Sequence, residues 1–470
     1  MQVTIILQVM VSPASAATVA PAAAMATRTQ RLLEAPVAPT LLWLAAPNVL
    51  VMVLQAVVTT MDAVFVGWLG PQALAGVSLV YPLVMLMQTM SAGGMGGGVA
   101  SAVARALGGG RRHQADALAA HAVIIALVMS ALFTLFLLLG GPALYRALGG
   151  RGAAFEAALT YSSVMFGGAV VFWIFNTLAS IVRGTGTMGL PAAVAMGSAF
   201  FYLGLAPALV TGWGPFPRLG VAGTATANLV GFGLASLVLI GYLASPRSAV
   251  RLSFRRLEIR RAMFWEILRV GAPGSLNTVL TNLTVVLMTG LVGPFGTLAL
   301  AGYGMGARLE YLQIPLVFGM GSALVAMVGT NVGAGQRARA ERVAWTGAGI
   351  AAGVTTIIGS MAAVFPRAWL GLFTSDAQAQ AVGGTYLLIV GPFYGFFGLG
   401  LALYFASQGA GRLAWPLTAG FLRLTIAAAG GWLAGYWLGW GLPGIFAAMA
   451  AALVVFGLTV AAAVRAGAWR

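Results

Sequence analysis

The chain has nine acidic residues in 470, and two of them, Asp62 and Glu310, fall inside long apolar stretches. Glu34, Asp116, Glu156, Glu258, Glu341 and Asp376 lie in expected loops or tails, and Glu266 sits at the edge of an apolar run. A carboxylate left charged and unpaired in hydrocarbon costs several kcal/mol, so Asp62 must protonate, pair with a cation or face water. It lies about four residues from the end of its run, roughly 6 Å inside the boundary at 1.5 Å per residue. Two readings follow: a proton or monovalent-cation site whose occupancy changes during a working cycle, or an acid exposed at the outer interface. Glu310 is accompanied by Arg308 in Ala307-Arg308-Leu309-Glu310-Tyr311. Two residues apart on a helix they do not share a face, so each needs its own partner or water access, and Arg423 is a candidate partner for Glu310.

The remaining chemistry is sparse. The chain has no cysteine and no lysine, and its two histidines, His113 and His121, stand beside no carboxylate pair. Thiol nucleophiles, thiolate metal sites and disulfides are excluded, and a nucleotide-binding loop of the Gly-x-x-x-x-Gly-Lys-Ser/Thr type cannot be built without lysine. A membrane-embedded hydrolase or transferase would need a nucleophile with its base, or a metal site. The sequence therefore reads as a non-enzyme with no cofactor, and with no metal beyond a monovalent cation at Asp62.

The elements that carry these residues follow from composition: 60% of residues are hydrophobic and 7% charged. Uncharged runs of more than about twenty residues are long enough to cross ~30 Å of hydrocarbon as helix. Runs such as Ala122 to Leu139 do not alternate apolar and polar residues, which excludes a membrane β-barrel. Twelve spans are expected, near 41–66, 74–98, 117–140, 159–182, 188–211, 221–244, 268–292, 300–328, 344–365, 384–406, 413–436 and 444–465. Pro246 to Arg261 is a strongly basic connector containing Arg247, Arg251, Arg255, Arg256, Arg260 and Arg261. Placing it in the cytoplasm also places Arg28, Arg31, Arg105, Arg111, Arg112, Arg183, Arg337, Arg339, Arg342, Arg412, Arg465 and Arg470 there. Arg146, Arg151, Arg218 and Arg367 are left outside. By the positive-inside rule both termini are cytoplasmic, and the net charge of +16 needs no nucleic-acid partner. Val3 to Val11 is apolar but lacks the basic start of a signal peptide, so residues 1–38 are expected to be a disordered extension, with Met25 an alternative start.

The two halves repeat. Shifted by 226 residues, Pro47 lands on Pro273, Gly67 on Gly293, Leu74-Ala75-Gly76 on Leu300-Ala301-Gly302 and Arg111 on Arg337. Further on, Thr160-Tyr161 lands on Thr385-Tyr386, Gly184 on Gly409, Pro191 on Pro416 and Gly220 on Gly441. An even number of spans per half makes the repeat parallel. The expected fold is thus all-α, with two six-helix lobes (39–245 and 264–470, joined by connector 246–263) about a pseudo-twofold axis along the membrane normal, the layout of a transporter with a cavity between bundles.

Met61-Asp62-Ala63-Val64-Phe65-Val66-Gly67-Trp68-Leu69-Gly70, Leu74-Ala75-Gly76, Arg183-Gly184-Thr185-Gly186 before Pro191, Gly220-Val221-Ala222-Gly223 and Val328-Gly329-Thr330-Asn331-Val332-Gly333-Ala334-Gly335 together resemble the multidrug and toxic compound extrusion (MATE) family, over about residues 40 to 465. The resemblance implies secondary efflux of organic, often cationic compounds in exchange for sodium ions or protons; the expected setting is a monomer in the cell (inner) membrane. Asp62 matches the family's first-span acid. The fifth-span pattern Asn-x-x-x-Asp-Pro falls on Tyr202-Leu203-Gly204-Leu205-Ala206-Pro207, so tyrosine and alanine stand where asparagine and aspartate would be, and Thr281 and Asn282 occupy the region of a seventh-span glutamate. Around Asp62 the expected coupling set is Asn176, Asn228 and Thr224, with Thr226 nearby. Interhelical hydrogen bonding is the alternative role of the two asparagines. The Arg308 and Glu310 stretch serves either lobe structure and gating or a second ion site. A lipid or oligosaccharide flippase of the same superfamily is the rival reading, and it would want arginines lining the cavity for phosphate head groups.

Overall fold

In the computed structural model, the described residues are 21–253 and 258–469, and they form helices joined by short turns. The apolar stretch Val3 to Val11, Arg255, Arg256 and Arg470 lie outside them. The first lobe holds Val37–Gly67, Pro71–Gly108, Arg112–Ala147, the bent pair Gly152–Gly167 and Ala169–Gly184, Gly189–Thr211 and Val221–Ala244. The second holds Arg261–Phe295, Thr297–Gly333, Arg337–Val364, Ala377–Ala410, Ala414–Trp437 and Gly441–Arg465. Counting the bent pair as one span gives twelve. Large apolar side chains such as Leu135, Phe136 and Leu139 are exposed on the outside of the bundle, a surface suited to lipid.

The duplication is visible in the backbone. Gly70 and Gly296, at equivalent positions, adopt φ of 102° and 106° and open the second and eighth spans. Gly186 and Gly411 (81° and 78°) and Gly220 and Gly441 (56° and 61°) repeat the pattern at later turns. These are left-handed conformations that glycine adopts without steric cost. Packing repeats as well: a Cβ at Gly76 would lie 2.5 Å from the Ala154 carbonyl oxygen, and one at Gly302 would lie 2.5 Å from that of Ala379. Without a hydrophobic drive between helices in lipid, such backbone-to-backbone approach is what holds a lobe together.

Two expectations need correction. Pro21–Glu34, assigned to a disordered extension, is a helix, and Leu32 near its end is buried. Its carbonyl groups are used: Asn331 Nδ2 donates to Leu32 O (3.1 Å), and Arg339 donates to Ala35 O (2.5 Å). The fourth span, expected as a single run over 159–182, bends by 45° between Gly167 and Ala169. Gly168 fills the break because a Cβ there would run into the Leu229 side chain. Pro47, Pro82, Pro207, Pro273 and Pro315, in contrast, are accommodated within continuous helices.

The lobes meet in the half of the bundle that bears the basic loops. Gly94 packs on Ser275, Gly98 on Gly271, Gly109 on Gly333 and Gly319 on Val49. Gln408 Nε2 donates to the carbonyls of Gly93 (3.0 Å) and Gly94 (3.3 Å), and Ser101 Oγ donates to those of Gln408 (2.5 Å) and Gly409 (3.0 Å). Glu266 accepts from Gln114 at 3.1 Å and lies 3.6 Å from both Arg105 and Arg269. These contacts cluster at one end; toward the opposite end Val53, Val57 and Leu312, on the first and eighth spans, are exposed. The lobes are sealed together at the arginine-rich end, which leaves the arginine-poor end as the mouth of the cleft between them.

Candidate functional site

Asp62 sits on the last turns of the first span, on the side turned into its own lobe. The Tyr202 hydroxyl, from the fifth span, donates to Asp62 Oδ1. Thr224, fully buried at the start of the sixth span, stands near the carboxylate, with its hydroxyl donating to the Val221 carbonyl at 3.3 Å. Tyr81 and Tyr161 stand within electrostatic range of the same group. Asp62 itself is half-buried. The pocket thus offers one negative charge, one phenol and one aliphatic hydroxyl. That set can take one proton, or the oxygens can share one monovalent cation.

Of the four residues expected to form this site, the structure brings Asp62 and Thr224 together. Asn176 is drawn elsewhere: its Nδ2 donates to Ser91 Oγ at 2.9 Å, where the second span widens into a π-helical turn over Met90–Met95. Asn228 donates to the Thr224 carbonyl one turn back on its own helix at 3.4 Å. Tyr202 is a partner that sequence reasoning missed; its one signal is that it departs from the family pattern. Ala206, where a second acid was expected, is buried in an apolar cluster with Val58, Phe65 and Leu209. Neither a carboxylate nor a charge would be tolerated there without partners. Among the described residues no three His, Asp or Glu side chains converge as a metal site.

The second lobe carries the other polar centre. Glu310 pairs with Arg423 at 2.9 Å, both residues 6% exposed, as the sequence suggested. The guanidinium is covered by the rings of Phe397 (5.1 Å) and Phe456 (5.8 Å). Beside it a cavity of about 80 Å³ is lined by Asn277, Thr281, Thr284 and Arg423. Tyr386 and Tyr394, with hydroxyls 3.0 Å apart, complete the surroundings of Glu310. One turn further on, Gln313 is fully buried with both amide atoms free of protein partners, so a water is its natural complement. Arg308, as the spacing demanded, faces away: it is exposed, with its guanidinium 5.2 Å from the Phe373 ring.

The histidines are accounted for without chemistry. His121 is buried, accepts from the Arg260 backbone N–H at Nε2 (3.0 Å), contacts the Ala117 carbonyl through Nδ1 (2.7 Å) and packs edge-on against Phe264. It anchors the basic connector to the first lobe. His113 is exposed.

Two duplicated helical lobes about a cleft, each with an ionisable centre among its helices, define a polytopic membrane transport protein. A family model described as MatE matches residues 47–208 and again 273–433, the two copies of the repeat. The chain belongs to the MatE family of multidrug efflux transporters. It is similar to a FAD transporter of Shewanella oneidensis (27% identity, 80% of this chain and 82% of the relative). It is also similar to a probable multidrug resistance protein NorM of Deinococcus radiodurans (29% identity, 89% and 93%). Among solved structures it superposes on a MATE protein crystallised in the bent conformation with TM-score 0.87, at 24% identity over 94% of this chain and 97% of the other, a likeness of fold.

Proposed function

We propose that the protein is a monomeric antiporter of the cell membrane that exports organic compounds in exchange for a proton or a sodium ion bound at Asp62. The observation that carries this reading is the placement of Asp62 between Tyr202 and Thr224, inside the lobe but half-exposed, where one cation can enter and leave. An organic cation reaching the same carboxylate competes with the coupling ion, and mutual exclusion at a single charge is the simplest form of exchange. Both termini and the basic connector lie in the cytoplasm, so the open cleft described above faces outward. Alternating access then means breaking the seal around Gly98, Ser101 and Glu266 and closing the opposite mouth. The relatives named above, one a FAD transporter and one a probable multidrug resistance protein, support a transported cargo of large organic molecules.

The deciding experiment is efflux of a fluorescent organic cation from proteoliposomes under an imposed pH gradient and, separately, a sodium gradient. Native protein is expected to respond to one of the two, and Asp62→Asn to neither. Flux that is unaltered in Asp62→Asn would remove the carboxylate from the coupling mechanism.

A further inference from the structure

The wall of the open cleft carries a charge that the coupling mechanism does not use. On the eighth span, Thr297–Gly333, residues 301, 308, 312, 315 and 319 fall within about 60° of one another at 100° per residue. The direction of this stripe is fixed at its lower end, where a Cβ at Gly319 would lie 2.7 Å from the Val49 side chain of the first span, across the lobe boundary. Phe318, beside it, packs 3.2 Å from the corresponding point at Gly93 of the second span. Above these contacts the stripe comes free of the first lobe, and Ala301, Arg308 and Leu312 are exposed. Arg308 therefore stands on the exposed continuation of this stripe, about 16 Å along the helix from its start at roughly 1.5 Å per residue.

Among the described residues no acid pairs with it. The spans that make most of the contacts between the lobes are the first, second, seventh, eighth and tenth. The carboxylates on or beside them are Asp62, Glu266, Glu310 and Asp376, and Asp376, in the turn that carries Phe373, caps its own helix by accepting from the Ala379 N–H at 2.8 Å. Asp62 is turned about 140° around its helix from Val49 and faces Tyr202. Glu266 lies in the seal with Arg105, and Glu310 is consumed by Arg423. Along the same face of the first span as Val49 come Val53, Ala56 and Thr60, none of them charged. An unpaired arginine at this depth is stable when it faces water, and it presents a planar array of donors suited to two oxygens of one anion. The Phe373 ring backs the guanidinium at 5.2 Å.

We propose that Arg308 is a recognition point in the cleft for a phosphate or carboxylate group. The anion is carried by the transported molecule or by a lipid head group entering the open mouth. The inference rests on the efflux reading above and adds a substrate class to it: compounds whose anionic end meets Arg308 in the second lobe while Asp62 in the first keeps the coupling cation. A cargo whose cationic end reaches Asp62 inside the first lobe while its anionic end meets Arg308 would be amphoteric; plain anions need Arg308 alone.

The test is a binding measurement, independent of any gradient, on protein in phosphatidylcholine nanodiscs. Riboflavin and flavin mononucleotide share a fluorescent ring and differ by a phosphate; pyrene-labelled phosphatidylcholine and phosphatidylglycerol make the corresponding lipid pair. Native protein is expected to prefer the flavin mononucleotide or the phosphatidylglycerol by about tenfold or more, as charge-assisted hydrogen bonds allow. Arg308→Gln should abolish that preference without changing riboflavin or phosphatidylcholine binding, and Arg308→Lys should restore part of it. The pair that shows the preference names the source of the anion. Asp62→Asn should keep the preference, so loss of ion coupling and loss of anion recognition are read separately. If neither pair shows a preference in native protein, or if Arg308→Gln retains it with an unchanged melting temperature, the proposal is wrong.

Discussion

Tyr202 stands where the family pattern would have asparagine, and its hydroxyl donates to the first-span carboxylate. Tyr202→Phe keeps the ring within the cluster of Val58, Phe65 and Ala206 and removes the one phenolic donor to Asp62. With sodium as coupling ion, losing an oxygen ligand should raise the half-saturating sodium concentration several-fold while folding is unchanged, measured by ion-titrated efflux; identical titrations would show that the phenol is no ligand. Glu310 and Arg423 make a different claim. Removing one partner of a buried pair strands a charge at a cost of about 3–5 kcal/mol, whereas removing both is far milder. Arg423→Met or Glu310→Gln should lower the melting temperature markedly, and Glu310→Gln with Arg423→Met together should recover most of it. Single variants that melt like native protein but alter ion dependence would make Glu310 a second coupling site instead. At this scale the sequence showed which acids are buried, because hydrocarbon makes a charge conspicuous. It could not show where Asn176 points, because that direction is set by the π-helical widening around Ser91.

The elements that decide the state of the cleft are the glycine-rich second span and the amino-terminal helix. Gly94 and Gly98 let the second span touch the seventh backbone to backbone, with hypothetical Cβ atoms 2.6 Å from Ser275 N and 2.7 Å from Gly271 N. The amino-terminal helix spans both lobes at the same end: Arg28 donates to Thr187 of the first lobe (3.2 Å), and Leu32 and Ala35 accept from Asn331 and Arg339 of the second. It acts as a strap across the seal. Gly98→Val should therefore wedge the sealed end open, and Leu32→Gln, which unseats the strap from Gly186, should act in the same direction more weakly. The chain has no cysteine, so a single labelled pair reports cleanly: spin labels on His113→Cys and Gln336→Cys, both exposed on the basic loops of opposite lobes, should move apart in either background. An unchanged distance distribution in Gly98→Val would mean that the seal does not depend on this contact. The glycine run was legible in the sequence as a place of close packing. The strap was not, because its bonds reach side chains more than one hundred and fifty residues away, two of them from its backbone carbonyls, and a segment rich in alanine and threonine gives no periodic signal of that kind.

For the whole molecule, the duplication and the charge asymmetry are both legible in the amino-acid sequence, since each is a long-range regularity of the chain: the first in matched glycines and prolines, the second in where arginine is placed. The break in the fourth span is hidden there, because a glycine pair in an apolar run looks like ordinary packing until the neighbour, Leu229, is known. The orientation makes a final prediction that the geometry sharpens. The seal, the strap and the basic connector share one end of the bundle, so placing any one of them in the cytoplasm places all three there and turns the open mouth, with Arg308 in its wall, to the outside. Cysteines introduced at Arg247 in the connector and at Pro215 in the turn between the fifth and sixth spans are both exposed and lie at opposite ends. In intact cells a membrane-impermeant maleimide should label Pro215→Cys and leave Arg247→Cys untouched until the membrane is broken. The reverse pattern would invert the transporter: the open cleft would face the cytoplasm, and an anion arriving at Arg308 would come from inside the cell.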